Sequence, residues 1–315
     1  MRICSLLPGA TEVVAALGLA DQLVGISHEC DFPPDIRNAP VMVRPVIDHE
    51  RMASPDIDRA VTRAVAEHQP LYTLEETLFR DAQPDLVITQ DLCHVCAVTP
   101  SDVQRAMASL PHPARILSLN AGSLEEMLHD IERIGEATDK VSESRALTSA
   151  LRRRLQFIRE QTALEGDIPT VVCVEWLDPL YVAGHWIPEM VSRAGGRHLL
   201  SEAGAPSQRI TWEQLVEAAP DVLIIMPCGF SIERTGREMK RLTAHAVWHR
   251  LPAVQRGRVF AVDSGAYFSR PGPRLVDGTE ILAALCHPSR FKQTIPAGAQ
   301  RVMNEPVMPP AEAAG

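Results

Sequence analysis

Aromatic side chains are scarce in this chain: Phe, Trp and Tyr together make up 4% of 315 residues. Where several of them gather, average composition does not account for it. Long apolar runs are missing as well. None approaches the roughly 20 residues that a helix takes to cross a bilayer, which argues against direct membrane insertion. Nor is there a basic surplus. The formal net charge is −9, the wrong sign for a surface that displaces counterions from nucleic acid or anionic lipid. The densest basic block, Arg152-Arg153-Arg154, reads as the solvated face of a helix.

A processing signal is not evident either. "MRICSLLPGATEVVAALGL" runs from a short strand into a turn and a helix, where a signal would show a basic stretch, an apolar core and a small-residue cleavage site. The seven cysteines (Cys4, Cys30, Cys93, Cys96, Cys173, Cys228, Cys286) are an odd number in a long chain, which suits a reducing compartment better than a disulfide framework. The expected location of the chain as written is therefore the cytoplasm, with the periplasm or cell surface as the alternative if the natural start lies upstream.

What is present is a folded, globular composition, 45% hydrophobic and 23% charged, with length for two domains. Short β-branched runs alternate with helical patterns. "RICSLL", "LVGIS", "DLVITQ" and "RILSLN" read as buried strands, with "TEVVAALGLADQL" and "PSDVQRAMASL" as helices between them. The same grammar returns in "PTVVCVEW", "DVLIIMP" and "RVFAVD", with "PEMVSRAGG" and "TWEQLVEAA" as helices, Gly195-Gly196 closing one and Thr211 capping the other. Between the two sets, residues 123 to 165 hold one Gly, Gly135, and no Pro. "SESRALTSALRRRLQFIREQTALE" predicts one helix of about 36 Å. The expected fold class is α/β: two Rossmann-like lobes with mainly parallel sheets, joined by one long helix, with a ligand cleft between the lobes. The expected boundaries are 1–122 for the first lobe, 123–166 for the linking segment, 167–292 for the second lobe and 293–315 for a poorly ordered tail.

Ligands of open parallel α/β sheets bind beyond the carboxyl ends of the strands. The segments at those ends are "LPGATE", "SHECDFPP", "QDLCHVC", "EWLDPLYVAGHW", "MPCGFS" and "DSGAYFSRPGPR", and they collect Cys30, Cys93, Cys96 and Cys228, several histidines and most of the Trp and Tyr. Cys93-x-x-Cys96 supplies two of the four ligands a structural zinc takes. Three readings stand open for it: a zinc or iron site shared with Cys30 and Cys228, a redox dithiol, or small buried hydrophobes. His28, His94 and His185 lie in the same loops and can add to or replace the thiols. No nucleophile elbow, phosphate loop or zinc-protease spacing occurs, and the expectation is no enzyme. A cytoplasmic metal-binding protein or metalloenzyme built on the cysteine-rich cleft is the alternative function.

The blocks "SLLPGATEVVAALGLADQLVGIS", "QPDLVI", "EWLDPLYVAGHWIPEMVSRAGG", "ITWEQLVEAAPDVLII" and "LPAVQRGRVFAVDSGAYFSRPGPRLVDG" together resemble the helical-backbone periplasmic binding proteins of the iron-siderophore and cobalamin type, most of all their cobalamin-binding branch. The resemblance covers about residues 2 to 290. It implies a binding protein for a metal chelate, cobalamin or an iron-siderophore, as the substrate-binding component of an ABC transport system. The Tyr-Phe-x-Arg-x-x-Pro-Arg segment of that branch matches Tyr267, Phe268, Arg270 and Arg274, and Glu29, Trp176, His185, Trp186 and Phe230 complete the expected ligand contacts. The family's docking glutamates on an ABC permease match Glu213 and, with altered spacing, Glu76.

Overall fold

The computed structural model describes residues 1–90, 100–164, 166–291 and 295–302. Two sheets organise them. The first contains β1 (Ile3–Ser5), β2 (Leu23–Ser27), β3 (Val41–Pro45), β4 (Tyr72–Leu74), β5 (Leu86–Gln90) and β6 (Arg115–Leu119) in the order β4-β3-β2-β1-β5-β6. All its pairings are parallel except β3 with β4. The second contains β7 (Thr170–Leu177), β8 (Leu180–Val182), β9 (Arg197–His198), β10 (Gln208–Arg209), β11 (Val222–Ile225), β12 (Val259–Val262) and β13 (Ala299–Arg301). Its order is β10-β8-β7-β11-β12-β13, with β9 also on β7. The centre β7-β11-β12 is parallel, while β8, the edge strand β10 beyond it and the opposite edge β13 pair antiparallel.

Two expectations are corrected here. "EWLDPLYVAGHW" is not a simple loop: β7 continues to Leu177, turns at Asp178-Pro179 and returns as β8. Tyr181 and Val182 suit a pleated surface, and Pro179 sits at the turn where its missing N–H costs no ladder bond. The expected disordered tail contains β13, whose Ala299, Gln300 and Arg301 pair with Val262, Ala261 and Phe260. The Arg301 guanidinium lies 5.6 Å from the Phe260 ring centre, so a short polar edge strand is held by its neighbour. Residues 303–315 lie outside the described residues.

The linking segment is two helices, Leu124–Ala137 and Val141–Thr162. In the second, Ser144, Thr148, Leu151, Leu155, Ile158 and Thr162 are buried, an i, i+4, i+7 stripe of the kind that seats a helix on a core. Gly135 lets the pair close up: a Cβ there would stand 2.1 Å from Ser144 Oγ. The arginine block is more than a solvated face. Arg152 pairs with Glu125 and Glu132 of the preceding helix, and Arg154 pairs with Asp277 and Glu280 of the second-lobe helix Arg274–Cys286.

The core explains how the lobes are joined. One apolar cluster runs from Ile3, Val14 and Ile88 in the first lobe through Leu128, Leu151 and Ile158 of the linking helices to Val171, Met190 and Leu282 in the second. The outer faces of the sheets have separate clusters, around Phe79 and Met42 in the first lobe and Trp248 and Leu223 in the second. Moving one lobe against the other would shear the shared cluster.

Candidate functional site

The carboxyl ends of the two sheets meet along one seam. At its inner end the turn after β1 touches the loop after β12 backbone to backbone. A Cβ on Gly9 would lie 2.2 Å from the Pro271 carbonyl oxygen, and one on Gly272 would lie 2.9 Å from Gly9 Cα. Two glycines therefore allow the loops to touch. Pro8 opens the helix Pro8–Ala16, and Thr11 fixes the turn by bonding Ser5 Oγ at 2.8 Å and the Leu7 carbonyl at 2.9 Å.

Charge closes the rest. Arg274 donates twice to Glu12, from Nε at 3.0 Å and Nη2 at 2.6 Å, a two-pronged pair with the carboxylate 5% exposed. Burial pushes the Glu12 carboxyl up despite Arg274. Arg270 bonds Asp31 and reaches Glu29 Oε2 at 3.4 Å. Farther out, Arg234 donates to the backbone carbonyls of His49 and Met52, and Ser54 Oγ donates to Glu238 at 3.0 Å. Every one of these contacts joins the first lobe to the second. Arg270 and Arg274, expected to face a ligand's polar groups, are here engaged with carboxylates across the seam.

The aromatic residues divide. Trp176 lies edge-on to Phe230, ring centres 5.5 Å apart, with the Arg234 guanidinium 3.7 Å from the Phe230 ring centre on one side. Trp176 Nε1 is sealed from solvent without a hydrogen-bond partner. Phe230 and Phe268 are buried in the second lobe. Trp186 is buried too, and its Nε1 donates to the Phe268 carbonyl at 2.8 Å, so it props the "AYFSRPGPR" loop from beneath. Tyr267 is half-buried against the shared core. His185 has φ +51 and is half-buried, and burial lowers its pKa.

Cys30 belongs to the apolar core. Its sulfur lies 3.0 Å from Thr11 Oγ1, and burial pushes the thiol up to about 11, a poor start for a thiolate. Cys228 is exposed, and Cys93 and Cys96 lie outside the described residues. Among the described residues, the Cys, His, Asp and Glu side chains that form a three-membered group of metal-ligand type are His28, Glu29 and His49, with donor atoms within 4.8 Å of one another. His49 was missed in the sequence because β3, the strand before its loop, was missed. Burial raises the Glu29 carboxyl, and His28, Arg270 and His49 outweigh it, leaving it below the usual range. Glu76 and Glu213 are exposed in the first turns of the helices Glu76–Ala82 and Trp212–Ala218. Thr211 and Gln214 form a reciprocal cap on the second of these helices.

Known proteins share this plan. The sequence model of a family described as periplasmic binding protein matches residues 3–266. A vitamin B12-binding protein of Vibrio cholerae serotype O1 is 26% identical over 281 residues, covering 89% of this chain and 86% of that protein. YvrC of Bacillus subtilis, an uncharacterized ABC transporter substrate-binding lipoprotein, is 25% identical over 298 residues, covering 93% and 82%. Among solved structures, the periplasmic heme-binding protein RhuT of Roseiflexus sp. RS-1 matches with a TM-score of 0.68 at 20% identity, covering 92% of this chain and 98% of that one. The periplasmic vitamin B12 binding protein BtuF of Vibrio cholerae matches with a TM-score of 0.63 at 24% identity, covering 93% and 98%. At these identities the structural likeness is one of fold.

Proposed function

This chain belongs to the periplasmic binding protein family, and from that premise we propose that it binds a metal chelate, a corrinoid such as cobalamin first and a haem or iron-siderophore second, between its two lobes. The observation that carries the reading is the seam itself. Side chains from both lobes converge there on one line, and Trp176 turns a buried, unpartnered Nε1–H toward no protein acceptor. Support also comes from similar proteins named for vitamin B12 in Vibrio cholerae and for heme in Roseiflexus sp. RS-1. Trp176, His185, Tyr267, Arg270 and Arg274 are the proposed contacts, the arginines exchanging carboxylates for the chelate's amide, carboxylate or phosphate groups. Zinc or iron on four cysteines has no place in this proposal, because Cys30 is a core residue and Cys228 is exposed.

The same reading makes the protein the substrate-binding part of an ABC transporter working outside the cytoplasmic membrane, with Glu76 and Glu213 as docking points on the permease. No helix among the described residues is long and apolar enough to cross a membrane. Calorimetric titration of the purified chain with cyanocobalamin, hydroxocobalamin and hemin tests the ligand. The expected result is one equivalent of a corrinoid bound with quenching of tryptophan fluorescence. No heat and no quenching from any of the three at about 100 μM, where a micromolar receptor is saturated, would refute it.

A further inference from the structure

We propose that His28, Glu29 and His49 form a binding site for a divalent first-row transition-metal ion on the first-lobe wall of the seam. His28 and Glu29 follow β2 directly, and His49 lies in the loop that follows β3. The two strands pair in parallel, so their carboxyl ends deliver the three side chains to one place. His28 Nε2 lies 3.4 Å and His49 Nε2 3.8 Å from the same oxygen, Glu29 Oε1. Ligands about 2.0–2.2 Å from one zinc-like ion stand roughly 3.3 Å apart in tetrahedral geometry, so a small closing movement places an ion among the three atoms.

The outer contacts prepare the rings for a metal. His28 Nδ1 lies 3.2 Å from the Val43 carbonyl and His49 Nδ1 lies 3.4 Å from the Ile47 carbonyl. A carbonyl only accepts, so in the neutral ring each contact favours the proton on Nδ1 and leaves Nε2 available to a metal, the arrangement that metal-bound histidines show. His28 Nε2 is sealed from solvent, and its polar neighbour is Glu29 Oε1 at 3.4 Å. A cation among the three atoms, a proton on one ring or a shared metal ion, balances the carboxylate, and only the metal ion reaches all three atoms at once. Two imidazoles and one carboxylate favour nickel, cobalt, zinc or ferrous iron over magnesium or calcium. Three ligands leave positions open for water or for a donor atom of a ligand in the seam. Glu29 Oε2 meets Arg270 of the other lobe at 3.4 Å, which couples the ion to lobe contact.

The test uses the full chain, without a histidine tag and stripped of metal by chelator, titrated with nickel chloride and zinc chloride. Expected are one equivalent bound at micromolar or better affinity, no response to magnesium, and cobalt(II) absorption of a nitrogen and oxygen ligand set. His49→Ala and Glu29→Gln, at the two more exposed positions, should weaken nickel at least tenfold, while the double variant Cys93→Ser/Cys96→Ser should retain it. Undiminished nickel binding in His49→Ala, its loss in the cysteine variant, or no binding of either metal at about 100 μM overturns the site. Because the site does not rest on the chelate reading, the metal-free protein is titrated with corrinoid in parallel. Corrinoid binding without nickel binding would remove this site and leave that reading intact.

Discussion

His198 shows how one buried side chain makes the second lobe sensitive to acid. It sits on β9 with Nε2 accepting from the Cys173 N–H at 3.4 Å, and burial lowers its pKa to about 4. In the unfolded chain the ring charges near pH 6.5. Between those values the unfolded state holds a proton that the folded state does not, so stability falls as pH drops from about 6.5 to about 4. The contribution is roughly 3 kcal/mol, fully present above pH 6.5. Urea unfolding across this range should show His198→Gln losing less stability than the parent by about that amount, since its amide still accepts from Cys173 and has no charge to acquire. Parallel pH profiles for the two proteins would show that the ring is not the titrating group.

Elements were legible where burial on both faces writes itself as a β-branched run. β1, β2, β5, β7, β11 and β12 were all evident in this way, and β6 was evident as a strand although its first two residues are exposed rather than buried. The strands missed were β3 and the two- and three-residue strands β4, β8, β9, β10 and β13, which owe their conformation to a partner strand and carry no pattern of their own. The site was half legible for the same reason. Arg270 and Arg274 stood out in "SRPGPR", but their partners Asp31 and Glu12 lie 239 and 262 positions away, a pairing that only the fold makes. The glycines of "PGATE" and "RPGPR" likewise turn out to be one contact. Gly9→Ala should force the two loops apart because the atom it meets at 2.2 Å is backbone and cannot swing aside. A loss of about 1–3 kcal/mol on thermal or urea unfolding is expected. Gly122→Ala, which meets nothing closer than 3.5 Å, should be near neutral, and equal effects from the two would detach the loss from the lobe contact.

At the scale of the whole molecule, a core that passes through the linking helices sets the lobes' relation, and the charged seam decides how firmly they close. A long helix has few torsions that can change without breaking its own hydrogen bonds, so opening must take place at the seam. The Glu12–Arg274 pair is the most enclosed part of it, with side chains 5% and 14% exposed. Arg274→Ala leaves Glu12 buried without its counter-charge, and a loss of about 3–5 kcal/mol is expected near neutral pH. Adding Glu12→Gln to it should recover much of that loss, because the stranded charge is gone. Burial already raises the Glu12 carboxyl, and without Arg274 it rises further, so the folded single variant takes up a proton at a higher pH than the unfolded chain does. Its deficit against the parent should therefore shrink as pH falls from about 8 to about 5, and the double variant should show no such trend. Urea unfolding of the three proteins at both pH values measures this. A deficit that is the same at both, or one that Glu12→Gln deepens, would mean that the seam holds the lobes by packing alone.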